Sequence, residues 1–142
     1  MRIVVTGGAG FLGSRLAHAL LARDVLTDAR GEAREVKELV LIDVIPAALP
    51  DRRVTVVTGD LADPAVMERA VTPDTDSVFH FAAVVSGQAE AEFDVGMRVN
   101  VDTTRELAAP LEQRARRVDV DAHADIKLCF RLPANHGREV KY

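Results

Sequence analysis

The chain has 142 residues, a formal net charge of −4 and 28% charged residues, which fits one domain with a single core. The acidic balance argues against general nucleic-acid binding, which needs a basic face. The only cysteine is Cys129, so an intrachain disulfide is excluded. No signal-peptide pattern opens the chain and the apolar runs are too short to span a bilayer. We therefore expect a cytoplasmic protein that contacts neither nucleic acid nor membrane.

The first two predicted elements flank a glycine-rich stretch. The run RIVVT at residues 2–6 is apolar and β-branched, which is typical of a buried strand. A helix is predicted from Gly10 to about Ala22, because apolar residues recur there at helical spacing, namely Leu12, Leu16, Ala19 and Leu20. The polar, unpatterned residues 24–37 are interpreted as a loop extension with a turn at Gly31.

Three more strands are predicted downstream, at residues 38–43 (ELVLID), 54–58 (VTVVT) and 77–83 (SVFHFAA). Strands that alternate with helices indicate a parallel sheet with right-handed crossovers. The predicted fold class is therefore α/β, a Rossmann-like doubly wound sheet represented by its N-terminal part of about four to five strands.

Two further helices complete the pattern. Asp63 and Pro64 form a good helix start, with a capping acid followed by proline in the first turn. Residues 89–109 indicate a second helix with a break at Gly96. The first of these helices carries its apolar face on Val66, Met67, Ala70 and Val71.

The stretch GGAGFLG at residues 7–13 lies between a predicted strand and a predicted helix. Gly7 permits a tight turn, Gly10 lets the backbone approach a pyrophosphate, and Gly13 lets the helix pack close to the strand. The amides at the helix N-terminus then face the phosphates. The sequence predicts a dinucleotide site here; the alternative is a glycine turn that serves packing alone.

An acid ends the second long strand, as such a site requires. Asp43 can accept hydrogen bonds from the adenosine ribose hydroxyls and repel a 2′-phosphate, which favours NAD over NADP. Asp28 is closer to the usual spacing but follows no predicted strand, so Asp43 is preferred. The alternative for Asp43 is an ordinary acid at a strand end.

Asp60 follows the third long strand, where it can meet the adenine amino group with Leu61 against the ring. The alternative for Asp60 is a loop carboxylate without a ligand. His80 lies inside a predicted strand and is interpreted as packed core rather than as a catalytic base.

Together these motifs resemble a known family. TGGAGFLG, LIDV, GDLAD, FHFAAVVSG and RVNVDTTREL follow one another as in the extended short-chain dehydrogenases/reductases, the NAD-dependent epimerase/dehydratase family. The resemblance covers about residues 1–109. The stretch VVSGQAEAEFDVGMRVNV is most similar to the branch of sugar-acid oxidoreductases that contains D-erythronate dehydrogenase.

The resemblance implies a role for each matching residue. The pyrophosphate would lie against Gly7, Gly10, Phe11, Leu12 and Gly13. The ribose would bind Asp43, and adenine would meet Asp60 and Leu61. The nicotinamide side of the cofactor would run along Ala82, Ala83 and Val84, supported by Asn100. Ser86 would lie near the substrate, although it can equally be an ordinary loop serine. Thr103 departs from the family, which commonly has glycine there.

The family's catalytic Tyr-x-x-x-Lys pair has no match in this chain. The single tyrosine, Tyr142, follows Lys141, and Gly137 stands four residues before that lysine. No catalytic residue and no metal ligand is therefore assigned. Pro110 interrupts the pattern, so we expect a dinucleotide-binding half at residues 1–109 and a tail at 110–142 that diverges by truncation or a shifted reading frame, with IKLCF at 126–130 as an irregular fifth strand.

The expected function is the NAD-binding portion of an NAD-dependent oxidoreductase or epimerase that acts on a small sugar or sugar acid. The alternative is a non-catalytic dinucleotide-binding module or an inactive fragment, because the catalytic pair is absent. A domain that binds S-adenosylmethionine shares the glycine loop and the acid, but TGGAGFLG followed by FHFAAV disfavours it. An incomplete sheet would leave an edge uncovered, so self-association into a homo-oligomer is expected.

Overall fold

A computed structural model describes residues 1–28, 31–84 and 93–108. Strands and helices alternate along these residues, and a π-helical turn follows the last helix. The elements are β1 (Arg2–Thr6), α1 (Phe11–Leu21), β2 (Val25–Thr27), β3 (Ala33–Glu35), β4 (Glu38–Asp43), β5 (Val54–Thr58), α2 (Pro64–Ala70), β6 (Ser77–His80), α3 (Phe93–Met97) and the π-helical turn Arg98–Asp102.

Four strands form one parallel sheet in the order β5-β4-β1-β6. Thr6 pairs with Ile42 on one side and with His80 on the other, and Asp43 pairs with Thr58. The carboxyl ends of all four strands are therefore level at one edge of the sheet. The predicted parallel α/β sheet is confirmed for these strands, whereas the predicted fifth strand lies outside the described residues.

The two central strands, β1 and β4, are buried on both faces, which explains why they are continuous apolar runs without alternation. Val4 points to one face and belongs to a core that also contains α2 and Leu107. Ile3 and Val5 point to the other face, where Ala17 and Leu20 of α1 cover them. Among the helices of the described residues, none is long and apolar enough to cross a membrane.

The start of α2 is confirmed, but the predicted face of α1 is partly wrong. The Asp63 carboxylate accepts a hydrogen bond of 2.9 Å from the Ala65 amide and caps α2. Leu12 and Ala19 of α1 are exposed, and the buried residues of this helix are Gly13, Ala17 and Leu20. The helix thus packs through small residues near its start, a contact that a count of large apolar side chains misses.

The predicted loop extension at residues 24–37 is wrong. Its residues form the antiparallel hairpin β2–β3, in which Leu26 pairs with Arg34. Gly31 has φ +81° in the connection, so the turn predicted there is confirmed. Each strand has only three residues, too few for an alternating pattern to emerge from the sequence.

The predicted strand at 77–83 is too long, because β6 ends at His80. Just beyond that point the Phe81 amide still donates to the Thr6 backbone carbonyl at the end of β1 (3.2 Å), and bonds to the Thr6 side chain are added. The Thr6 hydroxyl oxygen accepts hydrogen bonds from the amides of Phe81 (3.1 Å) and Ala82 (3.2 Å). Since β1 itself ends at Thr6, no strand remains on that side for the next residues to pair with.

The predicted helix at 89–109 is described only from Phe93 to residue 108. The break expected at Gly96 is wrong: this glycine is buried inside α3, and the irregularity follows it as the π-helical turn Arg98–Asp102. Regular helix resumes at residues 103–108.

His80 is buried and bonded, in agreement with its interpretation as a core residue. Its Nδ1 lies 2.6 Å from the Thr6 hydroxyl oxygen. Because the amides of Phe81 and Ala82 already donate to that hydroxyl oxygen, we infer that its proton is donated to Nδ1, which assigns the ring proton of neutral His80 to Nε2. Burial correspondingly lowers the pKa of His80.

Replacing Arg2 should destabilise the sheet strongly. Its guanidinium donates hydrogen bonds to Glu38 Oε2 (3.0 Å), to the Ala70 carbonyl (2.8 Å) and to Thr75 Oγ1 (2.7 Å). Arg2→Met leaves these three partners without their hydrogen-bond donor. We therefore expect the free energy of unfolding, measured in urea, to fall by about 2–4 kcal/mol.

The matched control for that substitution is Arg105→Met. Arg105 is 78% exposed and lies 3.8 Å from Asp102, so its loss should change the free energy of unfolding by less than about 0.5 kcal/mol. Equal losses in the two variants would contradict the role given to Arg2.

Acid should weaken the fold through His80. The folded state disfavours the protonated ring, whereas the unfolded chain protonates it below a pH of about 6.5. The free energy of unfolding should therefore fall as the pH drops through that value, by at most about 1.4 kcal/mol per pH unit from this residue. His80→Asn keeps an acceptor for Thr6 and should remove this slope in urea titrations between pH 7.5 and 5.5. Parallel curves for His80→Asn and the wild type would contradict the buried imidazole.

Candidate functional site

The glycine loop joins β1 to α1 at the edge where the four strands end. Gly7 has φ +67°, in the region that favours glycine. The Gly8 amide donates to the Ile42 carbonyl (3.0 Å), and the Gly10 amide donates back to the Gly7 carbonyl (3.1 Å). These bonds hold the loop against β4 and turn it into α1.

Two glycines of the loop are required by close backbone contacts. A Cβ on Gly13 would lie 2.1 Å from the Gly7 carbonyl oxygen, inside any tolerable contact distance. A Cβ on Gly7 would lie 2.9 Å from the Ala82 nitrogen. The first contact brings α1 onto the end of β1, and the second brings the start of the loop against the segment after β6.

The N-terminus of α1 is open. Gly10 occupies the N-cap position and no side chain caps the helix, so the amides of its first turn lack intrahelical partners. Phe11 is 80% exposed and Leu12 is 59% exposed. The first-turn amides and the positive end of the helix dipole point toward the start of α1, at the edge where the strands end. This arrangement suits a phosphate or diphosphate.

Asp43 lies beside the glycine loop. Its Oδ2 accepts a hydrogen bond of 3.0 Å from the Ala9 amide, and its Oδ1 lies 3.5 Å from the Ile45 amide. Each carboxylate oxygen keeps a lone pair free to accept from a hydroxyl. Asp28, the alternative acid, instead follows β2 in the hairpin, where it bonds the Glu32 amide (3.0 Å).

Asp60 and Leu61 follow β5 at the same edge but differ in exposure. The Asp60 carboxylate accepts from the Ala62 amide (2.9 Å) and lies 3.8 Å from the Arg98 guanidinium. Leu61 is only 6% exposed and belongs to the core. Its side chain therefore offers no surface to a ring, and any contact with adenine would fall to its backbone. The role of both residues stays a prediction.

Asn100 fixes the segment after β6 from a distant element. Its Oδ1 accepts from the Val84 amide (2.9 Å) and its Nδ2 donates to the Val84 carbonyl (3.0 Å). Together with the bonds of Thr6 to Phe81 and Ala82, this pair holds residues 81–84 at both ends. Ala83 between them is exposed.

Sequence reasoning missed Thr6 and Arg98. Thr6 carries a hydroxyl directly before the first glycine, and Arg98 stands two residues before Asn100; these positions were the available signals. Ser86 lies outside the described residues, so its predicted role near the substrate stays a prediction. In the part of the chain that the structure describes, no group of three or more His, Cys, Asp or Glu side chains could hold a metal ion.

The residues at this edge fit a dinucleotide. Backbone amides at an uncapped helix suit its diphosphate, a carboxylate with free lone pairs suits a ribose, and missing Cβ atoms let α1 begin close against the loop. The ends of adjacent parallel strands supply each group, which is where open α/β sheets bind ligands.

Comparisons with known proteins agree with this architecture. Residues 3–122 match the model of the NAD dependent epimerase/dehydratase family. The chain is 57% identical over 108 residues to D-erythronate dehydrogenase of Cupriavidus necator, a match that covers 75% of this chain and 33% of that enzyme. The chain spans about a third of the length of the curated relatives it matches.

Solved structures give the same result. The fold is similar to a nucleoside-diphosphate-sugar epimerase from Agrobacterium tumefaciens, with a TM-score of 0.68 and 33% identity over 83% of this chain and 34% of that one. It is also similar to a short-chain dehydrogenase/reductase superfamily protein of the same organism, solved with bound NAD, with a TM-score of 0.61 and 27% identity over 80% of this chain and 30% of that one. On the family match and these likenesses, the chain belongs to the NAD-dependent epimerase/dehydratase family.

Proposed function

We propose that residues 1–108 bind NAD and form the cofactor-binding portion of an oxidoreductase or epimerase that acts on a sugar or sugar acid. The observation that carries this proposal is the hydrogen bond between the Asp43 carboxylate and the Ala9 amide (3.0 Å). It holds an acceptor for ribose hydroxyls next to the amides that suit a diphosphate. A single contact thus joins the group that would bind the ribose to the loop that would bind the diphosphate.

In this proposal the loop residues Gly7, Gly10, Phe11, Leu12 and Gly13 hold the diphosphate through their backbone. Asp43 binds the adenosine ribose, and Asp60 orients the adenine. Residues 81–84 line the nicotinamide side, where Asn100 keeps the Val84 backbone in place. Bound NAD would supply a nicotinamide ring that accepts and returns a hydride.

The surroundings of Asp43 favour NAD over NADP. A carboxylate next to the ribose repels a 2′-phosphate, and NADP sites usually offset that charge with a nearby cation. Here the carboxylate is followed by the exposed apolar residues Val44 and Ile45 and by an uncharged run to Pro50. None of these residues supplies a positive charge.

The substrate class rests on similarity. The 57% identity to a D-erythronate dehydrogenase supports a small sugar acid, and Ser86 remains the residue proposed near it. A cytoplasmic location, self-association and the division of the chain at about residue 109 are further proposals, based on the sequence patterns alone.

A second candidate is a dinucleotide-binding module without turnover. Residues 1–141 contain no tyrosine, so these residues carry no match to the family's Tyr-x-x-x-Lys pair. The two candidates share the cofactor site and differ only in turnover.

Calorimetric titration tests the cofactor assignment. We expect the wild-type chain to bind NAD at least about tenfold more tightly than NADP, because Asp43 repels the additional phosphate. Asp43→Asn should weaken NAD binding about tenfold by removing a charge-assisted acceptor. It should also reduce the ratio of the NAD affinity to the NADP affinity. Asp28→Asn is the matched control in the hairpin and should leave both affinities unchanged. Tighter binding of NADP than of NAD by the wild type would overturn the role of Asp43.

Turnover separates the two candidates. NADH formation would be followed with a panel of four-carbon sugar acids that includes D-erythronate. Turnover supports the oxidoreductase, and NAD binding without turnover supports the module. A chain that binds no NAD would contradict both.

A further inference from the structure

Thr103 makes two hydrogen bonds that close the π-helical turn in which Asn100 lies. In this turn the Thr103 amide donates to the carbonyl of Arg98, five residues back. The Thr103 hydroxyl donates to the same carbonyl oxygen at 2.9 Å. Thr103 is buried, with 1% of its surface exposed, so this second bond is made away from bulk water.

The π-helical turn determines where Asn100 points. A π turn contains one residue more than an α turn, so it changes the direction in which its side chains leave the helix. Asn100 lies inside the turn and makes two bonds to the Val84 backbone. An α-helical register would give the Arg98 carbonyl to the amide of Asp102 and rotate Asn100 relative to Val84. The turn and the Asn100–Val84 pair are therefore geometrically linked.

The hydroxyl of Thr103 favours the π register. In that register one carbonyl oxygen accepts both the amide and the hydroxyl of Thr103, which compensates for the poorer packing of a π turn. The neighbouring Thr104 hydroxyl instead bonds the Asn100 carbonyl (3.0 Å), four residues back, a pattern that ordinary helices also show. Of these two hydroxyl bonds, only that of Thr103 spans the five-residue interval that distinguishes the turn.

We propose that Thr103 is a positioning residue for the nicotinamide side of the site, acting through the π-helical turn, Asn100 and Val84. This proposal rests on the proposed NAD site and adds to it a residue that does not touch the cofactor.

Thr103→Val isolates the hydroxyl. Valine keeps the β-branched shape and the buried volume and removes only the bond to the Arg98 carbonyl. Thr103→Ser restores the hydroxyl, and Thr103→Gly is a second variant that lacks it, useful should the valine variant fail to fold. Thr75→Val is the matched control, since Thr75 is also 1% exposed but bonds Arg2 at the opposite edge of the sheet.

Two readouts on the full 142-residue chain test the proposal under conditions where every variant is folded. The first is hydrogen exchange of the Val84 amide, which reports on its bond to Asn100. The second is NAD affinity by calorimetry. We expect Thr103→Val and Thr103→Gly to speed Val84 exchange and to weaken NAD binding, each about three- to tenfold, as for the loss of one buried hydrogen bond. Thr103→Ser should stay within about twofold of the wild type.

A merely structural threonine would behave differently. Thr75→Val should lower the free energy of unfolding without changing Val84 exchange or NAD affinity. If Thr103→Val behaves like Thr75→Val in both readouts, the proposal is overturned. If the wild type binds no NAD, the proposed function fails, and unchanged Val84 exchange in Thr103→Val would separately overturn the link between Thr103 and Asn100.

Discussion

The contact between Gly13 of α1 and the Gly7 carbonyl of the loop governs the rest of this site. Any side chain on Gly13 would collide with that oxygen, since even a Cβ would lie 2.1 Å from it. The close approach lets α1 start directly at the end of β1, with its unpartnered amides at the level edge of the sheet. The positive φ of Gly7 turns the chain into the loop at the same point. One backbone contact therefore sets both the shape of the loop and the direction of the helix dipole.

Two side chains organise the other half of the site from opposite sides. Thr6, with its hydroxyl proton directed to buried His80, holds the amides of Phe81 and Ala82. Asn100, placed by the π-helical turn, holds Val84. The edge at the amino ends of the strands carries ion pairs, for example between Arg34 and Asp76 (3.0 Å). The uncapped start of α1 and the Asp43 carboxylate lie at the carboxyl-end edge, and this pairing of amides with an acceptor supports the proposed NAD site over a purely structural glycine turn.

Much of this arrangement could be predicted from sequence because it is local. Buried strands are continuous apolar runs, and Asp63 followed by Pro64 is a recognisable N-terminal signal for α2. Asp43 was found because it ends a strand, but its bond to Ala9, 34 residues away, follows only from the parallel pairing of β1 and β4. The early end of β6 and the burial of Leu61 likewise depend on partners distant in sequence. The π-helical turn could not be predicted because nothing in the run RVNVD distinguishes a π-helical from an α-helical register.

The most direct test of the dinucleotide site is an amide NMR titration of the isotope-labelled chain with NAD. The account predicts saturable shifts at residues 8–13 and 43–45, around the glycine loop and Asp43. It predicts no shifts at residues 51–53 and 74–76, which lie at the opposite edge of the sheet. Shifts confined to that opposite edge, or no saturable shift at the glycine loop, would contradict the claim that this loop and Asp43 hold the cofactor.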